Sequence, residues 1–213
     1  MCAETETPWT PCRRGRIFAA MATAYAYLLE SPPAPAIADY RRARFSADEF
    51  LRMEELGAFA GHKVELVDGE LWEESLPGWT DGRLQALIIR LLGSVTDDSL
   101  VLVGELPVKV SDWTVRDFDV GMTVPDVGSV RAVDPAQVVL AVEIAVTTLS
   151  GDLNVKSREY ARAGIATYWV VDVAAELVHA MHTPGPDGYA GHARVSFDQP
   201  LAVPGGGEIV IAG

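Results

Sequence analysis

Three short segments carry residue types that could act together: Val124-Pro125-Asp126-Val127, then Val138-Val139-Leu140-Ala141-Val142-Glu143-Ile144, then Lys156. Carboxylates of this kind can hold a divalent cation, and an ammonium can steady an attacking water or the charge that builds on a phosphate. Acid, acid, lysine in this order is how a metal-dependent phosphodiesterase site looks in sequence. Glu143 is the odd residue of the three. It lies inside a β-branched run that reads as a buried strand, where an ionised carboxylate is costly unless paired or bound to metal. The plain alternative for Glu143 is an ion pair with Arg158 or Arg162. Taken alone, Asp126 reads as a turn residue after Pro125 and Lys156 as a solvated helix lysine. The three gain weight only jointly.

The elements that must position them can be read from pattern. Ser46-Ala47-Asp48-Glu49 has the form of a capping box and opens a helix carrying Phe50, Leu51, Met53 and Leu56. Val64 to Trp72 reads as two short strands around an Asp68-Gly69 turn. Leu84, Leu87, Ile88, Leu91, Leu92 and Val95 recur at helical spacing, predicting a helix over 81–96. Strands are expected near 100–104, 106–111, 126–130 and 138–145. Asp152 opens a further helix that Gly164 ends, and Tyr168 to Val173 suits a central strand. Weaker strands are expected near 177–182, 189–196 and 208–212. Helix, mixed sheet, helix, sheet is an α/β pattern around one core. On this reading Asp126 starts one strand and Glu143 ends the next, so both carboxylates come near one point at the sheet edge. Lys156 follows one turn into the helix, with Tyr160 on the same face.

Composition bounds what such a site could serve. The chain has 213 residues, 49% of them hydrophobic, which fits one domain at 46–213 after an N-terminal extension at 1–45. Within the extension, Arg13-Arg14-Gly15-Arg16 and the apolar run Ile17 to Leu29 resemble a weak signal peptide, but Glu4 and Glu6 spoil it. The other reading is a non-domain segment upstream of a start at Met21. No stretch is long enough to span a bilayer. Cys2 and Cys12 both lie in the extension, so no disulfide framework is implied and a reducing, cytoplasmic setting is expected. The net charge of −13 argues against nucleic acid as a partner. It is uneven: residues 1–52 carry seven Arg against six acids, and residues 53–213 ten basic residues against twenty-four acids. A surface for duplex neutralises phosphates with Lys and Arg, so a DNA-cutting site here needs bound cations, a local basic strip or a partner protein.

Other residues read as structural. His179 and His182 point to opposite faces of a strand, and His62 and His192 fall in loops. The Trp and Tyr residues, Tyr168-Trp169 among them, read as core and not as a stacking platform. Asp117 and Asp119 alternate in a polar segment that reads as a solvated loop, although they could assist a cation. Gly205-Gly206-Gly207 reads as a turn.

From about residue 46 to 200 the chain resembles the bacterial "putative restriction endonuclease" domain family, an offshoot of the PD-(D/E)XK nuclease superfamily. The matching text is Val64-Glu65-Leu66-Val67-Asp68-Gly69-Glu70, Val124-Pro125-Asp126-Val127 and Val142-Glu143-Ile144. It continues with Asp152 through Lys156, Tyr160-Ala161, Gly164-Ile165 and Tyr168-Trp169-Val170-Val171-Asp172. The resemblance implies a restriction-endonuclease-like core, a mixed β-sheet flanked by helices, with a magnesium-dependent site that manganese could also serve. It implies Asp126 and Glu143 as metal-binding acids, Glu65 as an additional acid from the first hairpin, and Lys156 as the catalytic lysine. Position 145, two after Glu143, is Ala, so the lysine comes from the following helix. A nucleic acid substrate, DNA foremost, and a homodimer are also implied. The text departs from the family at Ala145-Val146-Thr147-Thr148, where Ser-Pro is usual, and at Trp79-Thr80-Asp81-Gly82, where a His often stands. Glu65 could equally be a cross-strand partner of a basic residue. Two other classes stay open: a non-catalytic interaction module that keeps the fold, and a metal-dependent hydrolase of a smaller phosphoester.

Overall fold

The computed structural model describes residues 41–75, 78–128 and 131–212. Ala43–Gly213 forms one compact unit. Residues 1–40 of the extension, with the apolar run at 17–29, lie outside the described residues. Helix α1 (Ala47–Glu55) begins as the capping box requires: the Ser46 hydroxyl accepts from the Glu49 N–H at 3.3 Å, and the Glu49 carboxylate accepts from the Ser46 N–H at 2.8 Å. Strands β1 (Lys63–Val67) and β2 (Glu70–Glu74) pair antiparallel through a turn in which Asp68 and Gly69 have φ of 50° and 80°. Two consecutive left-handed residues make a type I′ turn, the one that matches strand twist.

Helix α2 (Trp79–Gly93) is followed by the long hairpin β3 (Val101–Ser111) and β4 (Thr114–Thr123). Strand β5 (Val138–Ala145) leads into α3, which runs in three joined pieces: Leu149–Gly151, a π-helical Asp152–Lys156, and Ser157–Ala163. Strand β6 (Thr167–Asp172) pairs parallel to β5, and β7 (Leu177–Gly185) and β8 (Gly188–Ser196) complete the sheet. Two short strands, β9 (Leu201–Ala202) and β10 (Glu208–Ile209), pair separately. Among the described residues no helix is long and apolar enough to cross a membrane.

The order β2-β1-β4-β5-β6-β7-β8, with β3 also on β4, makes the mixed sheet expected from the sequence. Strand β4 has β3 along its whole length, while its other edge is shared. There β1 meets it at Leu66↔Val115 and β5 at Val120 to Thr123. Between these contacts the stretch 116–119 faces side chains instead of a strand.

Packing follows strand alternation. On β5, Leu140, Val142 and Ile144 join the core under α2, with Ile88, Leu92, Trp169 and Val171. Ala141 and Ala145 join the core under α3, with Phe118, Tyr160, Tyr168 and Val170. Glu143 therefore belongs to the α3 face. On β4, Phe118 packs toward α3 but Val120 toward α2, so the alternation is reset between them. Glu105, opposite this point on β3, takes φ of 51°.

Several sequence expectations shift here. The polar segment holding Asp117 and Asp119 is a strand and not a solvated loop. The expected strand at 126–130 is absent over 126–128, the rest lying outside the described residues. Pro125 has no N–H to give a ladder, and β4 has already ended at Thr123. The pieces near 100–104 and 106–111 are one continuous strand.

Candidate active site

Lys156 organises the site. Its side chain is 12% exposed, and its Nζ lies 3.2 Å from Glu143 Oε1, 3.6 Å from Glu74 Oε1, and 3.8 Å from both Glu65 Oε1 and Asp152 Oδ1. Asp152 and Lys156, four residues apart in the π-helical stretch of α3, lie on the same side of the helix. One turn on, the buried Tyr160 hydroxyl donates to Glu143 Oε1 at 2.8 Å. Glu143 thus meets an ammonium and a phenol, not Arg158 or Arg162, and Lys156 is not a solvated helix lysine.

The open stretch of β4 is closed by carboxylates. Glu65 Oε1 accepts from the Asp117 N–H at 3.2 Å, and Asp119 Oδ2 accepts from the Ile144 N–H at 2.7 Å. Arg116 donates to Glu65 Oε2 at 2.6 Å and forks onto Glu159 at 2.9 and 3.0 Å. Glu65 is therefore both a cross-strand partner of an arginine and a neighbour of Lys156. Lys63 reaches Glu105 at 2.9 Å, Glu74 at 3.6 Å and Asp119 at 4.0 Å. Asp152, expected to open its helix, lies inside it, buried, and accepts from the Thr148 hydroxyl at 2.6 Å.

These groups surround a cavity of about 310 Å³ whose walls include Lys63, Glu74, Asp119, Glu143, Thr148 and Lys156. Carboxylates outnumber cations on its walls, Glu74, Asp81, Asp119 and Glu143 against Lys63 and Lys156, and Glu65 and Asp152 lie behind them within 4 Å of the Lys156 ammonium. Burial, only partly offset by Lys156, pushes Glu143 well above the ordinary carboxylate range, and the charges of Asp119, Asp152 and Glu65 add to it. Burial, then Glu65 and Glu54, pushes Asp117 up to about 7. Asp119, Asp152 and Glu74 are raised too, chiefly by burial. Glu65 goes the other way: burial opposes it, but Lys156 and Arg116 hold it below its usual value. Burial disfavours the charge on Lys156 as well, yet Glu143, Glu65, Glu74 and Asp152 keep it protonated.

An excess of buried oxygen donors is what a hard divalent cation relieves. Asp119 and Glu143 line the same cavity from neighbouring strands, and magnesium usually takes only one or two carboxylates beside waters and substrate oxygens. The donor chemistry fits at that level. Among the described residues no three His, Cys, Asp or Glu side chains converge as a ligand set. Lys156 stands among the acids instead.

Asp126 is not brought to this cluster. It is exposed in the loop beyond β4, outside the cavity, and its backbone carbonyl accepts from Gln137 Nε2 at 3.3 Å. The acid of β4 that does face the cavity is Asp119. Its signal in the sequence was the alternation Arg116-Asp117-Phe118-Asp119-Val120, masked by three charged residues of low strand propensity.

A family model described as "Uma2: Putative restriction endonuclease" matches residues 47–207. Among solved structures the fold is similar to a "putative nuclease belonging to DUF820" from Anabaena variabilis, with a TM-score of 0.58 and 15% identity, covering 75% of this chain and 89% of that one. None of the curated proteins matches.

Proposed function

We propose, from the premise that the chain belongs to the Uma2 family of "putative restriction endonucleases", that it is a magnesium-dependent nuclease hydrolysing phosphodiester bonds, DNA foremost. In this reading Asp119 and Glu143 hold the cation, with Asp119 in the part first given to Asp126. Glu65 supports the site and Lys156 is the catalytic lysine. The observation that carries it is the Lys156 ammonium 3.2 Å from Glu143 on the wall of a cavity that Asp119 shares. A bound divalent cation supplies polarisation of the phosphate and a lowered pKa for its water, and manganese can replace magnesium there. Lys156, kept cationic by its carboxylates, orients the attacking water and offsets charge that develops on the phosphoryl oxygens. Tyr160 fixes the Glu143 carboxylate by donating to Oε1, and Arg116 fixes Glu65. With this reading go a homodimer and a reducing cytoplasmic setting.

One observation favours a second reading. The net charge of −13 and the acidic surround of the cavity suit a smaller phosphoester better than a long duplex. A cleavage panel separates the two: single-stranded, duplex and branched DNA, RNA and nucleotides, each with magnesium, manganese or EDTA. Polynucleotide cleavage that needs the metal and disappears in Glu143→Ala and Lys156→Ala is expected. Turnover of nucleotides alone favours the second reading, and both variants cutting as fast as the parent overturns the site.

A further inference from the structure

The sequence reading assigns the tryptophans to the core, and Trp169 is indeed buried, but Trp72 is 57% and Trp79 87% exposed. Their places are informative. Trp72 lies directly across from Glu65 in the β1–β2 ladder and two residues from Glu74, so all three side chains share one face of the hairpin. Glu65 and Glu74 are both neighbours of the Lys156 ammonium. Trp79 is the first residue of α2, two positions before Asp81, which lines the cavity. Among the described residues neither indole stacks on another ring or a guanidinium, whereas exposed Trp113 has the Arg44 guanidinium 5.4 Å above its ring. Both indole faces are thus left in water on the two elements that supply Glu74 and Asp81 to the cavity wall.

Charge narrows the partner. Lys63, Arg116 and Lys156 are each held by carboxylates, and the chain carries −13 overall. A duplex offers phosphates on its outside and keeps its bases stacked within, so it gains little from indoles and is repelled by the acids. An unpaired strand offers base faces, and stacking on aromatic rings needs no cation. We infer that the site takes unpaired polynucleotide strands, with Trp72 and Trp79 stacking on bases beside the cavity. This rests on the nuclease reading and names its substrate class.

The test measures binding and chemistry separately on the full chain. Binding of labelled oligo-dT and oligo-U 12-mers and of a 12-base-pair duplex is followed by anisotropy with calcium at fixed salt. Turnover of bis(4-nitrophenyl) phosphate, which has no base, is followed with manganese. Single strands should bind more tightly than duplex. Trp72→Ala and Trp79→Ala should each weaken single-strand binding about tenfold. Trp72→Phe should keep most of it and Trp113→Ala all of it, and Trp113→Ala should turn over the small ester as the parent does. Preference between dT and U tells which polymer is the better source of the strand. Duplex binding at least as tight as single strand, or single-strand binding indifferent to both indoles, overturns the inference while ester turnover leaves the nuclease reading standing. Indole-dependent strand binding with no turnover of ester or strand does the reverse.

Discussion

Lys156 holds together carboxylates that would otherwise repel one another, its ammonium lying 3.2 to 3.8 Å from Glu143, Glu74, Glu65 and Asp152. Replacing it by Met keeps the volume and removes the charge. Breaking a buried pair by deleting one partner typically costs about 3–5 kcal/mol, because the other charge is left in a poor dielectric. Lys156→Met should therefore lose about that much stability at pH 8 in urea denaturation. At pH 5 the loss should be smaller, since burial raises the values of Glu143, Asp152 and Glu74 and lets them take up protons. An equal loss at both pH values would contradict the role of counter-ion. At this scale the sequence was half legible. Glu143 announced itself as a charge inside an apolar run. Asp119 did not, because Arg116 and Asp117 beside it look solvated, and only the fold supplies Glu65 and Glu159 to bury that arginine.

The helix that follows β5 carries the site through its irregular stretch. In Asp152–Lys156 residues four apart share one side of the helix, with Lys156 passing to Glu143 and Asp152 accepting from Thr148. Deleting the half-exposed Val155 should restore a regular helix and turn the lysine away. Misplacement of a reacting group by an ångström can cost on the order of a hundredfold in rate. A loss of that size with helical content unchanged by circular dichroism is the expected result, and undiminished cleavage would show that the wide turn positions nothing. Elements with strong periodicity were readable: α1 from its capping box, α2 from its apolar stripe, β5 and β6 from their apolar runs. Strand β4 was not. One half of it is polar because its edge is met there by carboxylates and not by a neighbouring strand, so the usual apolar alternation has no reason to exist. With 116–119 read as a solvated loop, the strand before β5 was expected at 126–130, whereas it lies at Thr114–Thr123.

For the whole molecule the acids around the cavity set how stability depends on pH. Asp117, pushed up to about 7, and Glu143, Asp119 and Asp152, also raised, hold protons in the folded state that the unfolded chain has released. A folded state with more bound protons loses stability as pH rises, so each of these groups contributes most below its unfolded-state value and loses that contribution as pH rises through its folded-state value, about 7 for Asp117. Glu65, held low, opposes this by losing its contribution only in acid. In EDTA the melting temperature should fall between pH 5 and pH 8, and magnesium should recover it at pH 8. A rise with pH in EDTA would mean that the acids are not mutually strained. The claim beneath all of this is that Asp119 and Glu143, and not Asp126, take the cation. Calorimetric titration of manganese at pH 8 tests it most directly, using the parent, Asp119→Asn, Glu143→Gln and Asp126→Asn. A saturable site is predicted in the parent and in Asp126→Asn, and none in the other two. No saturable binding in the parent, or loss of binding in Asp126→Asn alone, would contradict it.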